Sequence, residues 1–520
     1  MNDRARTLRN TFFSSVGVYT EYALGMLTSI LIARHLGPEG FGAYGAVIWL
    51  VALGIAVTNS GTASAAIKFV AELRGAGREA QVPSLLAYLQ RAQRLFLCVV
   101  LVIAVTVLHV GRVHFAPGLN HWLLIAFVVV AVSLRAGYMF NIGVAKGYED
   151  FRATAVVALI AAPANLLLVL VGTFWLDGSA EVLLGVFAVT SAILYVASRG
   201  QRRMLVPALP VASEPLPVAL MARVRRHMFY SAMTVTVGFI AASEVEVMFL
   251  NLNGQPDAAG VFKVAYQLAT GAAQLVPGVF GALLLPMMAN ALSQGREIAG
   301  RRFATATSYL LLLAAPLMAF GMVFSSDVIA VLYGARYADA DWTFAACLVA
   351  FSITVVSQGA SSLLVSADRQ RTVLVVVTAC AMLKLALGAT LVSLMGLQGA
   401  VAAYAIVSGV DAIALTWIAI RSGGTSPEWS RLARIVLAAV LAGAVAWPLA
   451  DRLLPWAGVL VGGAAIMAVY LPLSLLLRCW SQGDIEHMQH LHARLGAMRS
   501  RPGERVLAWA LTRTQRRSQS

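Results

Sequence analysis

The sequence predicts an all-α polytopic membrane protein with about 14 transmembrane helices, and three observations predict it. The first is composition: of 520 residues, 59% are hydrophobic and 12% charged, with mean hydropathy +0.78. That is too apolar for a soluble multidomain chain. The second is the recurrence of apolar segments of roughly 18–25 residues, each able to cross a hydrocarbon core about 30 Å thick. The third is where the 39 Lys and Arg residues fall. On one alternating set of loops lie 32 of them, at or beyond the ends of the apolar segments. The other set carries only Arg34, Arg112, Arg336 and Arg452, and Arg135, Lys263 and Lys384 lie inside apolar segments. This is the positive-inside distribution, and it places both termini on the cytoplasmic side of a bacterial inner membrane. It also accounts for the net charge of +15 without a nucleic-acid partner.

Taken in order, the basic Met1–Asn10 run precedes an apolar stretch with no small-residue cleavage site, so the N-terminus is expected to stay inside as the first topogenic signal. Spans are expected near 11–34, 41–64, 94–112, 120–142, 153–175 and 179–198 in a first half, residues 1–198. The inner loops between them hold Lys68, Arg74, Arg78 and Arg91, then Lys146 and Arg152. A basic, Pro-rich cytoplasmic linker, 199–227, separates this half from a second, 228–420. The second half has spans near 228–250, 258–282, 303–325, 342–365, 372–394 and 397–420. Two further spans, near 432–450 and 456–478, make up 421–478. The outer loops are short, the longest being Ser325–Asp341, and Trp122, Trp175, Trp342 and Trp456 near outer ends fit an interfacial aromatic belt. Beyond Trp480, Ile485, Met488, Leu491, Leu495 and Met498 recur at helical spacing, predicting a cytoplasmic amphipathic tail over 479–520. Its histidines, His487, His490 and His492, suit an exposed polar face and imply no metal.

The halves echo one another. Gly37-Pro-Glu-Gly-Phe-Gly opens the second span and Gly254-Gln-Pro-Asp-Ala-Ala-Gly opens the eighth. Both turns are expected to face outward, so the repeat would be parallel, with its axis along the membrane normal.

No GxxxxGK[ST], GxSxG or HExxH motif occurs, so nucleotide-driven transport by a P-loop, esterase and zinc-protease chemistry find no support. The four cysteines read as small buried hydrophobes, since no metal-binding spacing links them. The informative residues are the ionisable ones inside spans, each costly by at least a few kcal/mol unless paired or hydrated. These are Glu21, Arg135, Glu244, Glu246, Lys263, Lys384 and Asp411. At 1.5 Å per residue, Glu246 and Lys263 come out roughly 6–8 Å below the outer surface, and Lys384 and Asp411 roughly 15–21 Å deep. The expected pairs are therefore Glu246–Lys263 and Lys384–Asp411. Glu244, about 200° around a helix from Glu246, should point away from it. Arg135 lies about 10 Å from the inner surface, near enough to snorkel. Glu21 has no basic partner within a turn and is either a proton or sodium site or a neutral hydrogen-bonded acid. The group reads either as structural salt bridges or as a hydrated cationic cavity that accepts an anion.

Five segments carry a family resemblance: Ile32–Tyr44 (IARHLGPEGFGAY), Ala66–Gly75 (AIKFVAELRG), Gly260–Leu268 (GVFKVAYQL), Val331–Ala340 (VLYGARYADA) and Gly396–Ala403 (GLQGAVAA). Over roughly residues 8–420 the chain resembles the Wzx-like polysaccharide flippases of the multidrug/oligosaccharidyl-lipid/polysaccharide exporter superfamily. Lys263 stands where that pattern has a small residue, so no family role passes to it. The resemblance implies two six-helix lobes around a cavity and alternating access. It also implies transfer of undecaprenyl-pyrophosphate-linked oligosaccharides to the outer leaflet, for O-antigen, capsule or exopolysaccharide synthesis. No enzyme activity or cofactor is implied; H+ or Na+ is the candidate coupling ion, and a polysaccharide polymerase and chain-length proteins are candidate partners. Lys68 and Arg34, inside matched segments, join Lys384, Lys263 and Arg135 as candidates for the pyrophosphate. Spans 13 and 14 lie outside the two lobes and, by analogy with the lipid II flippase, suit a groove for the polyprenyl tail. A multidrug/cation antiporter and a membrane glycan polymerase or ligase are the rival readings. The intramembrane lysines weigh against the first and the short outer loops against the second.

Overall fold

The computed structural model describes residues 3–110, 120–150, 152–205, 215–274, 277–450, 452–481 and 485. Most of the expected tail therefore lies outside the described residues. Among those described there is no strand. The helices are α1 (Asp3–Gly75), α2 (Val82–Val110), α3 (His121–Gly147), α4 (Arg152–Phe174), α5 (Ala180–Leu205), α6 (Val218–Ala242) and α7 (Val245–Leu252). They continue with α8 (Pro256–Gln274), α9 (Pro277–Gln294), α10 (Arg296–Tyr333), α11 (Ala340–Val356), α12 (Gln358–Ser366) and α13 (Gln370–Met395). The last are α14 (Leu397–Gly423), α15 (Trp429–Ala450), α16 (Pro455–Ala457) and α17 (Gly463–Leu476).

Eleven helices among the described residues are long and apolar enough to cross a membrane, and the bent pair α6–α7 makes a twelfth. α1 contains two of the expected spans, separated where Gly37 leaves helical geometry at φ 72°, ψ 178°. With α1 counted twice and the 19-residue α8 added, the architecture is consistent with 14 spans. The expected long outer loop Ser325–Asp341 is mostly helix. α10 continues through a bend at Phe324 to Tyr333, and one turn of 3-10 helix follows at Ala335–Tyr337. The apolar run Val328–Tyr333 is helix-competent, and only Gly334, at φ 80°, ends it. Trp122, Trp175, Trp342 and Trp456 are all exposed, as an interfacial belt requires.

The chain forms two compact units: residues 1–263 with 381–400, and residues 264–380 with 401–520. In the first, Phe69, Val70 and Leu73 of α1 and Leu85, Leu86 and Leu89 of α2 form a core with Phe140 of α3 and Leu220, Val224 and Met228 of α6. Arg223 of α6 grips Glu72 of α1 through two contacts of 2.8 and 3.1 Å. In the second, α15 presents Ile435, Ala438, Ala439, Ala442 and Ala446 to Leu312, Ala315 and Phe324 of α10 and to Ile466 and Tyr470 of α17. Small residues allow such close approach where lipid supplies no hydrophobic drive between helices. The Tyr470 hydroxyl then donates to the Leu312 carbonyl at 2.8 Å.

The internal echo is a backbone fact. Gly37 and Gly254 both adopt positive φ (72° and 71°), and 141 and 142 residues further on Gly178 (62°) and Gly396 (56°) do likewise. A Cβ on Gly178 would strike His35, and one on Gly396 would strike Gln255, so each half brackets its turns in the same way. The two turns also cross reciprocally. A Cβ on Gly42 would fall 1.8 Å from the Pro256 carbonyl oxygen, and one on Gly260 would fall 1.9 Å from that of Pro38. Asn251 fastens the crossing by donating to the Gly42 carbonyl at 3.2 Å.

Candidate functional site

The site grows from a break in one span. α6 ends at Ala242, Ser243 is extended (φ −91°, ψ 165°), and α7 starts at Val245 after a bend of 65°. Such a break frees carbonyls at the end of one half-helix and leaves N–H groups at the start of the next, a form of ion site that needs no loop. Lys384 of α13, fully buried, answers the first need. Its ammonium donates to the Ser243 carbonyl at 2.5 Å and to the Ala241 carbonyl at 3.3 Å. Glu246, in the first turn of α7, sits at the positive end of that half-helix with its carboxylate 3.5 Å from the same ammonium. Both side chains are wholly shielded from solvent. Trp49 completes the lining, its indole N–H donating to the Ser243 hydroxyl at 3.0 Å.

Beside this pair, Lys263 of α8 donates to Glu244 at 2.9 Å. Those side chains are 9% and 25% exposed, so this second pair is less completely shielded than the first, chiefly at Glu244. Lys263 also lies 5.9 Å from the centre of the Phe41 ring, in room that exists because residue 45 is glycine. The expected partners are thus corrected: Lys263 pairs with Glu244 and Lys384 with Glu246. The expectation rested on an unbroken helix, in which residues 244 and 246 diverge. The non-helical Ser243 and Glu244 turn both carboxylates to lysines instead. Asp411 meets the Cys380 thiol. The lysine–glutamate quartet is formally neutral, a close-packed set of alternating charges at a helix break.

Arg135 does not reach for the inner surface. Its Nε donates to Ser191 of α5 at 3.1 Å, and the guanidinium lies 4.3 Å from the Phe187 ring centre. Glu21, Tyr44 and Tyr138 stand within electrostatic range of it, and Glu21 itself is exposed. Arg34 and Lys68 are exposed on α1, Lys68 over its neighbour Phe69 at 5.3 Å. Sequence reasoning missed Ser243, Trp49 and the break itself. Ala241-Ala-Ser-Glu contains neither Gly nor Pro, so no local breaker signal was present. The one available hint was two carboxylates spaced i, i+2 inside an apolar span. No cluster of His, Cys, Asp and Glu suited to a metal ion occurs among the described residues.

A family model described as polysaccharide biosynthesis protein matches residues 7–292, more than half of the chain. The chain belongs to that family. No curated protein sequence matches it closely enough to be named. Among solved structures, the lipid II flippase MurJ in an inward closed conformation aligns over 90% of this chain and 99% of its own, at TM-score 0.70 and 13% identity. An inward-facing multidrug-resistance MATE transporter of the MOP superfamily aligns over 79% and 98%, at TM-score 0.63 and 16% identity. An outward-facing MATE transporter aligns over 82% and 97%, at TM-score 0.53 and 17% identity. At these identities the likeness establishes the fold, which this polysaccharide-family chain shares with a flippase and with transporters. The chain is a multi-pass membrane protein with a flippase-like transporter fold.

Proposed function

We propose that the protein moves an undecaprenyl-pyrophosphate-linked oligosaccharide from the cytoplasmic to the outer leaflet by alternating access, for O-antigen, capsule or exopolysaccharide synthesis. The observation that carries this reading is the charge quartet Glu244, Glu246, Lys263 and Lys384 at a helix break, inside a chain of the polysaccharide biosynthesis family. Every buried sugar hydroxyl without a partner costs a few kcal/mol, and an isolated pyrophosphate far more, so the glycan needs a polar path. In this reading Lys263, in the less shielded of the two pairs, meets the pyrophosphate first. Lys384 is sealed and acts through the break, releasing Glu246 when α6 and α7 realign. Arg135, Arg34 and Lys68 add positive charge toward the same anion, and Glu21 and Asp411 are the candidate carriers of a coupling H+ or Na+. An inside-negative potential favours anion exit by about 2.3 kcal/mol per charge per 100 mV. The groove of about 350 Å³ between α10 and α17, lined by Leu312, Pro316, Phe320, Ile466 and Tyr470, supports a place for the polyprenyl tail beside spans 13 and 14. The polymerase and chain-length proteins of the same assembly are the proposed partners, and the inner membrane the proposed location, with both termini cytoplasmic.

Deletion of the gene tests the reading: undecaprenyl-linked repeat units should accumulate on the cytoplasmic side and surface glycan should fall. Unchanged surface glycan with no accumulated lipid-linked intermediate would overturn it. The MATE likeness favours a second reading, a cation antiporter. A deletion strain sensitised to cationic drugs, with glycan intact, would be its signature.

A further inference from the structure

Away from the quartet, α2, α3 and α5 line an open-mouthed cavity of about 690 Å³. Four arginines line it: Arg94 from α2, and Arg199, Arg202 and Arg203 from the end of α5. No acidic residue lines it, and among the described residues none of the four forms an ion pair. Positive charge that only orients a span is satisfied by water at the surface and has no need to converge on a pocket. Here the pocket is built. The Arg202 guanidinium donates to Asn141 Oδ1 at 3.2 Å and lies 5.4 Å from the Phe140 ring centre. Asn141 is itself held by donating to Ser198 at 3.2 Å. Gln93 forms part of the buried wall, donating to Asn59 and to the Ala136 carbonyl, both at 2.8 Å. Leu97, Leu134 and Tyr195 supply the apolar part of the lining, and Tyr195 fits against residue 137 because a Cβ there would lie 2.6 Å from its ring.

A cavity with several guanidinium groups and an adjoining apolar wall suits a phosphate carrying net negative charge, joined to an apolar body. The charge alternation assigns these helix ends to the cytoplasmic side, where anionic head groups are present. We propose that this pocket binds an anionic phosphate group at the inner membrane surface, as a second site separate from the lysine–glutamate centre. The phosphate belongs either to a lipid head group or to a free phosphate or pyrophosphate ion.

The test uses purified full-length protein in detergent. Cardiolipin, phosphatidylglycerol, phosphatidylcholine and sodium pyrophosphate are added separately, and binding is read by native mass spectrometry and by the shift in melting temperature. Binding of an anionic lipid at least tenfold tighter than phosphatidylcholine assigns the site to a lipid head group. Comparable binding of pyrophosphate alone assigns it to the free anion, and both results support the site. The triple variant Arg199→Gln, Arg202→Gln, Arg203→Gln should lose tenfold or more in that affinity. Leu97→Trp, which fills the cavity without changing charge, should do the same. A control removing equal charge from exposed positions, Arg301→Gln, Arg302→Gln, Arg371→Gln, should keep it. The proposal fails if Leu97→Trp binds like the unaltered protein, if the control loses as much as the triple variant, or if no anionic phosphate binds more tightly than phosphatidylcholine.

Discussion

Lys384 and Glu246 are completely buried in a chain that can place either only where the other compensates it. Removing one partner strands the other, so Lys384→Ala should cost about 3–5 kcal/mol of stability. Replacing both with apolar residues of similar size, Lys384→Met with Glu246→Leu, should recover most of that loss while the proposed glycan export stays impaired. Melting in detergent alongside an export assay checks this; a double variant as unstable as the single would show that the pair is not the unit. Lys263→Ala should cost less, because Glu244 is a quarter open to solvent and can be hydrated. If export survives Lys384→Ala but not Lys263→Ala, the Lys263–Glu244 pair alone handles the proposed substrate. A second residue-scale prediction concerns thiols. Burial pushes the Cys479 thiol up to about 11, so at pH 8 only about one molecule in a thousand carries the reactive thiolate. Cys347 and Cys380 are also buried, whereas Cys98 is exposed on α2, against the expectation that all four would be buried. Maleimide labelling of native protein should therefore mark Cys98 and leave Cys479 unmodified until the protein unfolds; early modification of Cys479 would contradict this packing.

At the scale of elements, the crossing of the two turns decides how closely α1 and α8 approach. Gly42 and Gly260 press on backbone oxygens, which cannot swing aside as a side chain can. Gly42→Ala should therefore destabilise by about 1–3 kcal/mol or more. Gly25→Ala, where nothing lies within 4 Å, should be near neutral or slightly stabilising, since alanine favours helix. Equal melting temperatures for the two variants would mean that the crossing is looser than described. The break between α6 and α7 is the other deciding element. It was illegible in the sequence because Ala-Ala-Ser-Glu is compatible with helix, and the group that meets its freed Ser243 carbonyl, Lys384, lies 141 residues further along the chain.

For the molecule as a whole, the charge alternation predicts topology. Alkaline phosphatase fused after Gly254 should be active outside the cytoplasm, and a fusion after Leu205 should be inactive. The reverse result would invert the cytoplasmic assignment of the arginine-lined cavity and the direction of proposed transport. Most of the fold was legible at this scale, because each span had to satisfy its own backbone hydrogen bonds and match the membrane thickness, both local requirements. The internal echo was legible from two glycine-containing turns, since positive φ restricts residue choice. The pairing of Gly178 with Gly396 was not legible, because Asp-Gly-Ser-Ala at the first and Met-Gly-Leu-Gln at the second share only the glycine.

The sequence by itself determined that this is a many-span helical membrane protein, which helix ends carry the positive charge, and which ionisable residues sit where lipid would not tolerate them alone. Hydropathy, charge and turn chemistry act over a few residues and can be read there. Only the tertiary structure decided which carboxylate each lysine meets, that Asp411 meets a thiol, that Arg135 turns to Ser191, and that four of the topological arginines share a cavity. Those outcomes depend on the rotation of helices that are distant in sequence and on two non-helical residues at 243 and 244. A partner on another helix, from 19 residues away for Lys263 to 141 for Lys384, is chosen by packing, and no periodicity along the chain records it.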